Sequence, residues 1–275
     1  MISLDSPQDI LVKAEDVRPR SVPAHEVRSL ADRKTRFCIV VPVINEGERI
    51  ARQLRRMHEH GLNSICDIII ADGGSSDGSL TEPLLAETGV RALLTKTGPG
   101  KLSAQLRMGY AYALDEGYEG IVTIDGNGKD SVESVPLFVQ ALEEGVDYAQ
   151  ASRFLPGGGA VNTPWLRTLG IVLVHAPILS LAARRRFTDT TQGFRAYSAR
   201  YLSHPKVQPF RDVFQTYELL AYLTVRAPQL GLRTQEIPTT RSYPCDGPMP
   251  TKLNGLGNLA LIRILFTTLA GRYAP

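Results

Sequence analysis

Four times between Arg36 and Asp130 a short run of aliphatic, largely β-branched residues stops at a cluster of small and polar residues, and a helical pattern follows. The first run, RFCIVVPV (Arg36 to Val43), leads into INEGE, and the second, ICDIIIA (Ile65 to Ala71), into DGGSSDGS. The third, VRALLTKT (Val90 to Thr97), opens on GPGKLS, and the fourth, EGIVTI (Glu119 to Ile124), on DGNGKD. Runs without polar alternation read as strands covered on both faces. Strands that alternate with helices need crossover connections, which produce a mostly parallel sheet flanked by helices, an α/β fold. In such sheets ligands bind beyond the carboxyl ends of the strands. There the chain places Asn45 and Glu46, then Asp72 and Asp77, then Lys101, and finally Asp125, Asn127, Lys129 and Asp130. One such loop means little; four at one edge make a site.

The remaining chain extends the same pattern. Asn45 and Glu48 have capping-box spacing before a helix whose apolar face is Ile50, Leu54 and Met57. SVESVPLFVQALEEG reads as a helix capped by Ser131, and VDYAQASRF (Val146 to Phe154) as a strand. A glycine-rich LPGGGAVNTP precedes a long apolar helix, TDTTQGFRAYS returns to the sheet, FQTYELLAYLTVRA is a helix, and LRTQEIPTTRSY is a last strand. Residues 1–35 read as an extension packed on, or trailing from, the domain of residues 36–255, and residues 256–275 as an apolar C-terminal helix.

Composition limits the function classes. A net charge of +3 is too weak to point to nucleic acid, and none is expected as a partner. The three cysteines, Cys38, Cys66 and Cys245, form no CxxC pair and suit buried free thiols in a reducing compartment. His58 and His60 lack further ligands at zinc spacing and read as helix surface. The N-terminus does not resemble a secretory signal, and no segment gives the roughly 18 to 20 uninterrupted apolar residues of a membrane span. Thr168 to Ala183 is uncharged but interrupted by His175 and Pro177, and Leu256 to Ala270 carries Arg263. The expectation is a cytoplasmic protein, with peripheral membrane contact through these two runs and Arg184 to Arg186, or a homodimer interface, as uses for them.

The site chemistry is that of oxygen donors: Asp125 and Asn127 suit Mg²⁺ or Mn²⁺ bound together with substrate phosphates. VPVINEGE lacks the glycine pattern of a dinucleotide fold, and TKTGPGKLS lacks the first glycine of a P-loop and the Ser/Thr directly after its lysine.

VPVINEGERI, IIADGGSSDGS, GPGKLSAQLRMGYAYAL, IDGNGKD, ASRF, DTTQGFRAY and EIPTTRSY follow one another as in family 2 inverting glycosyltransferases of the GT-A (Rossmann-like) fold. The chain most resembles their dolichol-phosphate mannosyltransferase-like branch, over about residues 36 to 255. That resemblance implies transfer of a sugar from a nucleotide-diphosphate donor, with inversion, to a polyprenyl phosphate. It implies donor contacts at Pro42, Asn45, Glu46, Asp72, Lys101, Asp125, Gly126, Asn127 and Lys252, with Glu46 and Asp72 on the nucleoside. Asp125 matches the first acid of the family's D-x-D; the second is here Asn127, and the glutamine two residues further on is Lys129. A lysine there repels a metal ion or itself neutralises diphosphate charge. Asp189 and Glu218 match acids near the acceptor, and Arg241 and Lys252 match basic residues facing phosphates. A hydroxyl acceptor needs a general base, for which Asp189 or Glu218 would serve. A lipid phosphate needs cations instead, for which Arg241 and Lys252 would serve.

Structural roles compete with these assignments. Asn45, Asp77 and Ser131 also suit helix caps, Arg195 and Glu218 an internal ion pair, and Arg184 to Arg186 a solvated turn. A soluble hydroxyl acceptor, and a non-catalytic sugar-nucleotide-binding protein, remain alternative readings of the whole.

Overall fold

All seven residues of the strand Phe37–Val43 (β2) are buried, and their parity divides the protein into two cores. Cys38 and Val40 face one apolar cluster with Ile69, Ala71, Met108 and Leu219, while Phe37, Ile39, Val41 and Val43 face a second with Ile50, Leu54 and Phe138. A strand covered on both faces has no room for polar alternation, which is why the run is continuous. Truncating a fully buried residue such as Ile39 to alanine would cost about 2–5 kcal/mol.

The structure, a computed structural model, describes residues 20–244 and 255–275, the first four of the latter by backbone alone. Besides β2, the main sheet contains His25–Ser29 (β1), Asp67–Asp72 (β3), Val90–Lys96 (β4), Gly120–Thr123 (β5) and Tyr148–Ser152 (β6). Gly159–Val161 (β7) lies outside it, and Arg195–Ser198 (β8) and Thr234–Pro238 (β9) complete it. The order is β1-β4-β3-β2-β5-β8-β6-β9, with β1 and β8 antiparallel to their neighbours and the rest parallel. A second, two-stranded sheet pairs β7 with Thr240–Ser242 (β10). Glu48–Glu59 (α1), Glu82–Glu87 (α2) and Leu102–Asp115 (α3) are the crossovers between β2, β3, β4 and β5. The remaining helices are Val135–Glu143 (α4), Trp165–Gly170 (α5), Ala176–Ala183 (α6), Ala199–Leu202 (α7), Glu218–Gln229 (α8) and Gly255–Leu269 (α9). The sheet is the mostly parallel α/β arrangement expected from the alternating runs.

Two features of this order create the site. From β2 the chain moves outward to β3 and β4, then returns across to β5 on the other side, so the crevice between β2 and β5 is a topological switch point. Strand β8 runs opposite to β5 and β6, so the residues that precede it lie at the same edge as those that follow its neighbours.

Several local expectations change. The extension of residues 1–35 supplies an edge strand, since His25 to Ser29 pair with Lys96 to Ala92; residues 1–19 lie outside the described part. Helix α1 is capped by Gly47 rather than by Asn45, because Asn45 takes a left-handed φ of 50° and its side-chain Oδ1 accepts from Ser76 N–H instead. Ser131 opens only a short 3-10 turn, with no side-chain cap bond, and its hydroxyl lies 2.8 Å from that of Ser134. Pro177 does not break the apolar helix. A π-turn at Ile171–His175, in which Ala176 N–H reaches back to Ile171 C=O, joins α5 to α6. One helix among the described residues, Trp165–Ala183, is therefore long and apolar enough to cross a membrane by length and composition. Arg195 and Glu218 do not pair. The Arg195 guanidinium donates to the Gln192, Thr190 and Leu220 carbonyls and Thr224, while Glu218 accepts from Gln215 N–H and Thr216 N–H.

Candidate active site

Two loops meet at the carboxyl ends of β2 and β3. Asn45 Oδ1 accepts from Ser76 N–H at 2.8 Å, and Asp77 accepts from Gly47 N–H at 2.8 Å. Asp77 thus pins the opposite loop rather than capping a helix of its own. Asp72 is buried and accepts from Ser75 N–H and Oγ, and Glu46 is paired with Arg49 at 2.9 Å. Gln105, from α3, ties both strand ends by donating to the Val43 and Ala71 carbonyls. The result is a fixed platform whose acids are held in place by neighbours. Lys101 stands exposed where α3 begins, and its backbone N–H is held by Gln215 C=O at 2.8 Å. Lys252 lies outside the described residues.

The next loop is held against the platform. Gly126 N–H donates to Pro42 C=O at 3.2 Å, and Gly128 N–H to Gln53 of α1 at 2.8 Å. A β-carbon on Gly126 would meet Pro42 C=O at 3.0 Å and Val43 at 2.9 Å, so only glycine lets this loop lie so close to β2. Asp125 is left partly exposed, its side chain 22% accessible.

Around Asp125 the far half of the sheet delivers mostly cations. Arg241, from β10, donates through Nη1 to both oxygens of buried Asp130 at 2.6 Å and through Nη2 to Asp125 at 3.2 Å. The segment before it and the strand beside it hold β10 in place: Ser131 N–H bonds Thr240 C=O, Ser242 N–H bonds Lys129 C=O, and Thr240 to Ser242 pair with Gly159 to Val161. Burial works against the Arg241 charge, but Asp130 and Asp125 more than offset it and raise its pKa. Burial also raises the Asp130 carboxyl, against the pull of Arg241. Lys129 is buried with its ammonium 5.0 Å from the Tyr243 ring centre, and Arg167 of α5 approaches the same ring at 5.7 Å. Burial, then the Arg241 charge, bring the Lys129 ammonium down to about 8, against the pull of Asp125.

The two acids assigned to the acceptor side are both engaged. Asp189 is fully buried, accepts from Arg153 at 2.7 and 3.2 Å, and is also bonded by Thr191 and Gln192. Burial opposes its charge, but Arg153 outweighs burial and holds the carboxyl below the ordinary range. Glu218 closes the turn before α8.

Four contributors were not assigned from sequence. Gly193 sits against Asp125: a β-carbon there would fall 2.1 Å from Oδ1. Arg153 was visible within ASRF but carried no role. Arg167 is the lone charge of an otherwise neutral helix, Trp165–Ala183, unless His175 protonates, and that isolation was its signal. Tyr217, whose hydroxyl is pushed up by burial and then by the Asp125 charge, lies close to that carboxylate. A shallow cleft of about 480 Å³ at the opposite sheet edge, lined by Lys34, Phe37, Ile65 and Glu143 among others, contains none of these groups.

The donor set does not fit a resident divalent metal. Asp125 is the one carboxylate available, and both Arg241 and the Asn127 amide N–H already face its Oδ2. Asn127 Oδ1 accepts from Lys129 N–H, and Asp130 is taken up by Arg241. Two buried cations stand where a metal would need further anionic oxygens, and no group of three His, Cys, Asp or Glu comes together among the described residues.

Residues 38–207 match the profile of Glycosyl transferase family 2. A polyprenol monophosphomannose synthase of Mycolicibacterium smegmatis is 29% identical over 216 residues, 74% of this chain and 77% of that protein. An undecaprenyl-phosphate mannosyltransferase of Micrococcus luteus is 28% identical over 207 residues, 74% of this chain and 83% of that protein. Among solved structures, glucosyl-3-phosphoglycerate synthase of Mycobacterium tuberculosis, in complex with Mn²⁺, UDP and phosphoglyceric acid, superposes with a TM-score of 0.60 at 19% identity, over 86% of this chain and 78% of that one. The chain belongs to glycosyl transferase family 2 and is a glycosyltransferase of the GT-A fold.

Proposed function

We propose that this glycosyltransferase moves a sugar from a nucleoside diphosphate donor to a polyprenyl phosphate, with inversion. The observation that carries the reading is the state of the charged groups beyond Asp125. A hydroxyl acceptor needs a base to take its proton, and Asp189 and Glu218, the acids expected there, are committed to Arg153 and to a turn. Donors, by contrast, are in surplus: Arg153 Nη1 and Arg167 Nε are buried with no protein partner. Buried N–H groups of this kind call for an anion. An acceptor phosphate supplies one and arrives already deprotonated.

In the step itself, an acceptor phosphate oxygen forms the new bond to the anomeric carbon. The bond to the donor diphosphate breaks with its electron pair on the diphosphate, and no proton has to move. Glu46 and Asp72 are assigned to the nucleoside, Pro42, Asn45 and Gly126 to the walls of its cleft, and Lys101 and Lys252 to its phosphates. Asp125, Asn127 and Arg241 face the transferred sugar and diphosphate.

A long-chain lipid phosphate stays in its bilayer, so the enzyme must come to it; each CH₂ is worth roughly 0.8 kcal/mol. Helix α5 is built for that meeting. It turns Arg167 inward to Tyr243 while Trp165, Leu166 and Leu169 face solvent, and Val172 and Leu173 continue the apolar face. Helix α9 packs beside α6 and adds exposed Leu259, Ile262 and Phe266.

Vesicle co-sedimentation and a transfer assay test the reading together. Mannose donors come first, then other nucleoside diphosphate sugars, offered with polyprenyl phosphate in anionic vesicles or with soluble hydroxyl acceptors. Salt-sensitive vesicle binding and transfer confined to the lipid phosphate are expected. Equal transfer to soluble acceptors, or a stable dimer that ignores vesicles, would overturn it.

A further inference from the structure

Resting on the transferase reading, we infer that Lys129 and Arg241 are the cations that neutralise the donor diphosphate, in place of a divalent metal ion. Asp125, Asp130, Lys129 and Arg241 meet here, with Arg167 at the Tyr243 ring that Lys129 also approaches. Two cations against two carboxylates strike the balance that one divalent ion strikes with two acids. The chain has given up the second acid at position 127 and placed an ammonium two residues later. The two changes compensate in charge.

The placement is fixed. Lys129 is held by its backbone at both ends, N–H to Asn127 at 3.2 Å and C=O to Ser242 at 2.8 Å, and the residue is 7% exposed. Arg241 is anchored by Nη1 on Asp130 at 2.6 Å, while Nη2 reaches the more exposed Asp125 at a longer 3.2 Å. The looser end is the one that can share a proton donor with an incoming phosphate oxygen. Charge-assisted bonds of this kind are the strong ones, and fixed donors aimed at developing charge need no rearrangement as the leaving diphosphate gains its negative charge. A metal entering the same space would have to displace Arg241 from Asp125 and stand beside the buried ammonium.

The experiment uses the full chain, a nucleotide sugar and polyprenyl phosphate, with UDP and GDP as binding probes. Wild-type transfer and diphosphate binding by calorimetry are expected to persist in excess chelator, and Mn²⁺ alone should give no binding heat. Lys129→Gln should lose transfer by about a hundredfold and weaken diphosphate binding, with an unlowered melting temperature. Lys129→Arg should keep most of both. Asn127→Asp combined with Lys129→Gln should regain transfer only when Mn²⁺ or Mg²⁺ is added. Loss of wild-type transfer and of UDP and GDP binding in chelator would overturn the inference without needing any variant. Absence of transfer from every donor would instead refute the transferase reading, and chelator-insensitive diphosphate binding would still uphold the cation assignment.

Discussion

Replacing Gly193 by alanine puts a methyl group where the Asp125 carboxylate stands. The new carbon would fall 2.1 Å from Oδ1 and 2.8 Å from Cγ, whereas ordinary contact begins at 3.4 Å. The carboxylate would have to withdraw by more than an ångström. Gly193 does not occupy a left-handed conformation, so the backbone accepts alanine and the cost is purely steric. Overpacking of this kind costs about 1–3 kcal/mol. An ångström of misplacement at a reacting centre costs about a hundredfold in rate. The expected result is a folded protein, modestly less stable in urea, with transfer down about a hundredfold in a sugar-transfer assay. Binding of UDP or GDP should be much less affected, because the platform of Asn45, Asp72 and Asp77 is untouched. Gly170→Ala is the control: nothing lies within 4 Å of its added carbon, and its rate should stay at the wild-type value. A Gly193→Ala enzyme with wild-type rate and stability would refute the placement of Asp125 at the reacting centre.

Asp125→Ala should lower transfer by about two orders of magnitude or more while circular dichroism stays native, since Arg241 keeps Asp130 as its partner; near-normal turnover would contradict its role. Asp189→Asn should act on stability, lowering it by about 3–5 kcal/mol by leaving the buried Arg153 charge uncompensated. A stable Asp189→Asn protein whose only change is a shifted pH–rate profile would instead favour a general base. His175, with Nδ1 2.6 Å from Thr190 Oγ1, has its pKa held down to about 4 by burial and then by Arg195. The unfolded chain takes up that proton near pH 6.5 and the folded chain only near 4, so stability is lost as pH falls through that window. The loss should reach about 2 kcal/mol after allowing for partial exposure, seen as a falling urea midpoint that His175→Gln flattens; an unchanged slope in that variant would count against it.

The donor half was legible because its signals are local. A continuous apolar run, a glycine and an acid in sequence suffice to place Asp72 and Asp125 at strand ends. The acceptor half was not, because its contacts join residues far apart in the chain. Nothing near Arg195 announces that backbone carbonyls, not Glu218, would satisfy it. Nothing near Asp189 announces Arg153. The capping reading of Asn45 failed because a left-handed turn offered its side chain a partner across the sheet edge. The apolar helix outran its apparent break because Pro177 falls in the first turn of α6, where a missing N–H is tolerated, directly after the π-turn that joins α5 to it. Lys129 was legible as a departure from a pattern, and only geometry set Arg241 and Tyr243 beside it.

The reversal of β8 has a consequence for how such an enzyme can diversify. The platform of Asn45, Asp72, Asp77 and Gln105 lies on one side of a seam between β5 and β8, assembled from residues 37–130. On the proposed reading, the groups that meet the acceptor are drawn from the far side, after β6, before β8 and after β9. The two halves touch where Gly193 meets Asp125, where Arg241 bridges Asp125 and Asp130, where β10 bonds Lys129 and Ser131, and where Gln215 C=O holds Lys101 N–H. On that same reading, the exposed helix from Trp165 onward, and with it the surface that presents the acceptor, can vary while β7 keeps its pairing with the strand that carries Arg241. The seam lets the acceptor surface change while Gly193, Arg241 and the β7–β10 pairing stay as the joints between the halves.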